Sequence, residues 1–175
     1  MKIVNIFANR LFALHYQNET YNEYDRLMDL WDDTTYIYDF LKENVADIPK
    51  GKNIKDIAED IIEDAYAIED TLLEITETSD KTLSQFFKPL YNQEYQLKVL
   101  SLQKGREDYL RIYAIRIDDD TFVITGGAIK LPLHYLMDDR PHTRFELQKL
   151  ENVKAFLNEN GIFDDDSFFE FLNEN

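Results

Sequence analysis

Apolar and aromatic side chains open the chain in two short clusters, Lys2–Phe7 and Leu11–Tyr16, on either side of Ala8-Asn9-Arg10. Runs of that length around a turn predict a β-hairpin, or two sheet strands meeting at a turn. The period then changes. Tyr24, Leu27, Met28 and Trp31 recur at helical steps behind Thr20 and Glu23, a pair with the form of a capping box, so a first helix begins near Tyr21. Asp32-Asp33-Thr34-Thr35 interrupts it and caps a second turn carrying Tyr36, Ile37, Phe40 and Leu41, which Pro49-Lys50-Gly51-Lys52 ends.

From Asn53, a capping residue, Ile54, Ile57, Ala58, Ile61, Ala65, Ile68, Leu72 and Ile75 repeat at three- and four-residue steps and define the most regular helix of the chain. Asp56, Glu59, Asp60, Glu63, Asp64, Glu69, Asp70, Glu74 and Glu77 are assigned to its outer, solvated face. Beyond Thr78–Lys81, Leu83–Phe87 reads as a short helical turn closed by Pro89.

Residues of high β-propensity then gather in Tyr95–Leu102, Tyr109–Ile117 and Phe122–Leu131, separated by Lys104-Gly105-Arg106-Glu107-Asp108 and Asp118-Asp119-Asp120. These runs predict a three-stranded antiparallel meander. Pro132 ends it, and Thr143 caps a helix whose apolar side includes Phe145, Leu147, Leu150, Val153 and Leu157 and which stops at Gly161. Asp164–Asp166 open a last short helix bearing Phe168, Phe169, Phe171 and Leu172. The expected architecture is α+β in one domain over 1–175, with an N-terminal hairpin, two long acidic helices, the meander and C-terminal helices around one core.

Composition narrows the function classes. The absence of cysteine excludes a disulfide framework, a thiolate metal site and a cysteine nucleophile, and points to a cytoplasmic protein. The start lacks the form of a signal peptide, and no apolar run approaches the ~20 residues of a membrane span. The formal charge is −16, but it is unevenly spread: residues 1–80 carry −12, residues 81–155 carry +2 and residues 156–175 carry −6. A near-neutral module therefore lies between two acidic ones.

That middle module holds the groups with chemistry to offer: Arg106, Arg111, Tyr113, Arg116, Lys130, His134, Tyr135, Arg140, His142 and Arg144. RNA cleavage without a metal requires a 2′-oxygen to lose its proton, a pentavalent phosphate to be stabilised and a leaving oxygen to gain a proton, and such side chains divide those tasks. Arg111 and Tyr113 share one strand face, whereas Arg116 has the opposite parity. Gly126-Gly127 inside a strand means either a bulge or room for a phosphate to approach beside Lys130. His15, His134 and His142 lack metal-ligand spacing, and Asp118–Asp120 and Asp164–Asp166 lack the pattern of a calcium loop. No metal or other cofactor is expected.

Leu110-Arg111-Ile112-Tyr113-Ala114-Ile115, followed by Phe122-Val123-Ile124-Thr125-Gly126-Gly127-Ala128-Ile129-Lys130, resembles the paired strands of the RelE/HigB-type toxin superfamily, which place an arginine and a tyrosine in one strand and end the next, glycine-containing strand in lysine. The resemblance covers about residues 86–157. It implies a RelE-like core and a metal-independent endoribonuclease, paired with a helix-turn-helix antitoxin and acting on mRNA or at the ribosome. By the same resemblance Arg111 contacts the scissile phosphate and Lys130 supports transition-state charge. Tyr113 and His142 are then candidates for proton transfer or stacking, and Arg116, Gly126, Gly127 and Arg144 for substrate binding. The chain departs from the pattern at Lys130-Leu131, where the family shows paired lysines, and in its negative charge. The alternative reading is a noncatalytic acidic binding module that presents the 53–78 helix to a basic partner, as an inhibitor or DNA mimic. A small-ligand enzyme using the Gly126-Gly127 gap is a third.

Overall fold

A computed structural model describes residues 1–91, 100–132 and 140–175. Strands β1 (Lys2–Phe7) and β2 (Leu11–His15) form the expected hairpin, turning through Ala8 and Asn9 at φ of 55° and 54°. Helix α1 (Glu23–Asp32) starts later than its sequence pattern implies. Asn22, not Thr20, is its cap, accepting the Asp25 N–H at 3.0 Å. Asp33 caps α2 (Thr34–Glu43), and Asn53 caps the 24-residue α3 (Ile54–Glu77).

A 3-10 turn at Leu83–Gln85 leads into β3 (Lys88–Pro89). Then follow β4 (Ser101–Glu107), β5 (Leu110–Arg116) and β6 (Phe122–Ile129). Helix α4 (Pro141–Glu159) begins with proline at its first position, so Arg140 rather than Thr143 precedes it. Helix α5 (Asp165–Glu174) is opened by a reciprocal capping pair, Asp164 and Ser167.

The meander is part of a larger sheet. Six strands run in the order β1-β2-β6-β5-β4-β3, with β2 parallel to β6 and the other neighbours antiparallel. Its first long strand is also displaced. The expected strand at 95–102 lies mostly outside the described residues, whereas Lys104–Glu107, read as a loop, are paired strand up to a tight turn at Asp108-Tyr109. Phe86 explains the glycine in that strand: a Cβ on Gly105 would lie 1.9 Å from its ring.

The sheet is covered on both faces, giving three layers with two apolar clusters. Leu11, Ala13, Leu110, Ile112 and Ile124 pack against Leu27, Trp31, Ile37, Ile61 and Ile68 of α1–α3. Phe12, Leu14, Tyr113, Ile115 and Val123 pack against Leu150, Val153, Leu157 and Phe168 of α4 and α5. Arg10 ties the hairpin into this frame, donating to the carbonyls of Ile75 and Thr76 at the end of α3 and pairing with Asp120. A cation at that helix end also complements its dipole. No helix among the described residues is long and apolar enough to cross a membrane.

Candidate functional site

Register decides which cations meet. In the β4–β5 ladder Arg106 pairs with Arg111 and Lys104 with Tyr113, and in the β5–β6 ladder Arg111 pairs with Ala128 and Tyr113 with Gly126. Directly paired residues share a face, and so do residues two apart. Lys104, Arg106, Arg111 and Lys130 therefore belong to the face that α4 covers further along. At the end of the sheet beside the Asp108-Tyr109 turn, these four and Lys52 line a hollow of about 640 Å³ together with two carboxylates, Asp60 and Asp108.

The surroundings fix these groups. Arg111 Nη1 donates to the carbonyls of Asp108 at 2.7 Å and Leu110 at 2.8 Å, which holds the guanidinium against the turn. Lys52 Nζ donates to the Tyr109 hydroxyl at 3.2 Å and stands 3.8 Å from Asp60. Lys104 and Arg106 have no ion pair with a described carboxylate. Burial, then Arg111 and Arg106, push the Lys104 ammonium below the ordinary lysine value. Burial and Arg106 likewise lower Arg111. Such a gathering of cations is relieved by an anion.

Carboxylates cluster at the turn, and one of them, Asp108, also lines the hollow. Asp64, expected on the solvated face of α3, is buried and accepts the Tyr109 N–H at 3.3 Å. Burial raises its carboxyl to about 7. One oxygen from each of Asp64, Glu107 and Asp108 lies within 4.8 Å of the others, the one such group among the described residues that has the reach to hold a cation.

The other candidates are dispersed. Tyr113 is buried under α4, and burial keeps its hydroxyl protonated well beyond the ordinary range. Arg116 lies at the opposite end of β5, buried and paired with Asp119. Neither glycine leaves open space. A Cβ on Gly126 would meet Glu146 Oε2 at 1.9 Å, and one on Gly127 would meet the Arg111 carbonyl at 2.7 Å and Trp31 at 2.9 Å. A bulge at Thr125 separates them from the first half of β6.

His142 packs edge-on against Phe40 with Nε2 3.0 Å from the Ile129 carbonyl oxygen, and Arg144 is exposed on the next stretch of α4. Arg140 is bound by Asp47 through bonds of 2.5 and 2.9 Å. His134 and Tyr135 lie outside the described residues. Lys52 and Lys104 entered the site without having been singled out, although Lys104-Gly105-Arg106 carries the period-two signal of a strand face.

Compared with models of protein families, with curated proteins and with solved structures, the chain matches none of them.

Proposed function

We propose that the protein is a metal-independent endoribonuclease of the RelE/HigB kind, the toxin half of a pair with a helix-turn-helix antitoxin, and that the cationic hollow holds the scissile phosphate. The carrying observation is the convergence of Arg111 and Lys130 with Lys104 and Arg106 on one sheet face in a chain of net charge −16. A protein that repels polyanions overall gains local affinity for phosphate by concentrating its cations in one concave place.

The reaction is an in-line transesterification. The 2′-oxygen attacks phosphorus as its proton leaves, the bond to the 5′-oxygen breaks, and that oxygen gains a proton from water in the open hollow. Products are a 2′,3′-cyclic phosphate and a 5′-hydroxyl. Lys104, with its lowered ammonium pKa, is suited to take the first proton. Arg111 and Lys130 stabilise the additional negative charge on phosphorus. Tyr113 and His142 are not among the groups lining the hollow, so their part is structural in this reading.

Expression of the chain should arrest growth, and purified protein or its ribosome complex should cleave RNA with chelator present to leave those ends. Arg111→Ala and Lys130→Ala should each abolish both effects. Arrest that survives both substitutions would remove the proposal.

A second reading, a noncatalytic partner-binding module, is favoured by the exposure of Glu59, Glu63, Glu69 and Asp70 along α3. It is tested by capture of a basic partner that is lost when those four are neutralised.

A further inference from the structure

The hollow at the end of the sheet holds more positive charge than one scissile phosphate requires. Its five cations share it with two carboxylates, Asp60 and Asp108, an excess of three positive charges. An internal phosphate of RNA carries a single negative charge. A terminal phosphate carries about −1.5 to −2 at neutral pH, and each phosphate linked behind it adds another charge. The excess therefore matches a short chain of phosphates better than it matches a lone diester.

The cations are also spread along a row. Arg106 and Arg111 are directly paired across β4 and β5, and Lys104 stands two residues from Arg106 on the same face. The Lys130 N–H donates to the Tyr109 carbonyl at 2.7 Å, which sets Lys130 beside the turn at the end of β6. Adjacent strands lie about 4.8 Å apart, so the row from β4 to β6 spans about 10 Å of backbone. Along it, linked phosphates can each meet a cation. Part of the set is uncommitted: among the described residues the side chains of Lys104 and Arg106 have no partner, and Arg111 engages only Nη1. Lys52 is held by the Tyr109 hydroxyl and Asp60. Burial and mutual repulsion lower the Lys104 ammonium and the Arg111 guanidinium, a penalty that a bound polyanion offsets.

We propose that this hollow binds a chain of two or three linked phosphates, as carried by a free nucleoside di- or triphosphate or by the 5′-triphosphate end of an RNA, in preference to a single phosphate. Lys104, Arg106 and the free edge of Arg111 supply the donors, and Lys130 and Lys52 supply charge at the two sides. The volume of about 640 Å³ lies within the ~300–1,000 Å³ of small-molecule sites. The proposal rests on the phosphate reading of this hollow but not on cleavage. Bound there, a triphosphate would occupy the place of the scissile phosphate, so it would also inhibit the nuclease competitively.

Calorimetric titration of the whole protein in about 0.15 M salt, with chelator present, tests it using inorganic triphosphate, ATP, AMP, inorganic phosphate and citrate as separate probes. Saturable one-to-one binding is expected for triphosphate and ATP, at least about tenfold tighter than for the other three. Arg106→Gln and Lys104→Gln should each weaken triphosphate binding by about tenfold. Lys2→Gln, an equal charge change on exposed β1 at the far edge of the sheet, should leave it unchanged. Because Arg106 is exposed, its variant keeps the test decisive even if Lys104→Gln fails to fold. An RNA oligomer with a 5′-triphosphate that binds more tightly than ATP assigns the RNA end as the source, and one that binds no better assigns the free nucleotide; both support the site. Triphosphate binding no tighter than that of phosphate or citrate, or equal weakening by Lys2→Gln, would overturn it. Triphosphate binding without RNA cleavage would remove the nuclease reading alone, and RNA cleavage that triphosphate does not inhibit would remove this proposal alone.

Discussion

Arg106 and Arg111 occupy directly opposed positions of the β4–β5 ladder. Like charges so placed destabilise a sheet by roughly 0.2–1 kcal/mol. The phosphate site proposed above has a reason to retain that cost. Arg106→Gln should therefore raise unfolding stability by a few tenths of a kcal/mol or more while weakening RNA binding and flattening its salt dependence. Urea denaturation and filter binding at two salt concentrations measure the two effects, and a variant that loses stability along with binding would contradict the argument.

The paired glycines make opposite demands on their surroundings. The atoms crowding Gly126 are the ends of the Glu146 and Lys149 side chains, whereas Gly127 faces the backbone carbonyl of Arg111 as well as Leu27 and Trp31. Gly127→Ala should cost roughly 1–3 kcal/mol, with Gly126→Ala costing less because long side chains retract more easily than a strand. Chemical denaturation of both variants gives the order, and the reverse order would show that the buried ions are the more rigid wall.

Local pattern made the elements legible, and pairing decided the rest. The α3 stripe emerged from its repeating isoleucines and the hairpin from two short apolar runs. The β2–β6 pairing joins residues 11–13 to 122–124, a contact across more than half the chain with no local signature. Lys104-Gly105-Arg106-Glu107 lacks β-branched residues and read as a loop, yet its partners on β5 hold it in the sheet. The buried carboxylates were hidden by chemistry, not by position. Asp64 lies between Ile61 and Ile68 on the apolar stripe, and Glu146 between Thr143 and Leu150 on that of α4. The spacing contained both, but charge assigned Asp64 to solvent, and Glu146 was not singled out.

Asp64 should make stability depend on pH. Its folded carboxyl titrates near 7, above the ordinary value of 3.8, so the folded state binds more protons than the unfolded state between those limits. Stability from this group is fully present below the ordinary value and is lost as pH rises toward 7. Asp64→Asn retains an acceptor for the Tyr109 N–H and should increase stability at pH 8 by on the order of 1 kcal/mol, with little gain at pH 4. Thermal unfolding at the two pH values tests this, and an equal gain at both would assign the effect to packing.

Glu23 has the opposite sign. Hydrogen bonds from Arg26 and Lys149 outweigh burial and hold its carboxyl below the ordinary range. Its contribution is present above the unfolded value of ~4.3 and disappears as pH falls through the lower folded value. Lys149→Met should cost about 3–5 kcal/mol at neutral pH because it leaves Glu23 and Glu146 buried with less compensation. The loss should shrink in acid, where both carboxyls are protonated in either state. Urea titrations from pH 7 to 3 follow it, and a constant loss would mean that Lys149 acts through its apolar stem alone.

Lys104 supplies the sharpest test of chemistry in the hollow. Its ammonium is lowered by burial, Arg111 and Arg106, so on the nuclease proposal the RNA cleavage rate should rise with pH and level off below the ~10.4 of an ordinary lysine. Arg106→Gln removes one of the two flanking cations and should move that rise to higher pH, whatever it does to binding. Lys104→Arg preserves the positive charge but eliminates a side chain able to release its proton in this range. It should retain RNA affinity while lowering the chemical step by about 10²–10⁴-fold. Single-turnover cleavage across pH separates the two effects. A rise that stays in place in Arg106→Gln, or survives in Lys104→Arg, would mean that another group removes the proton and that Lys104 serves only to attract phosphate.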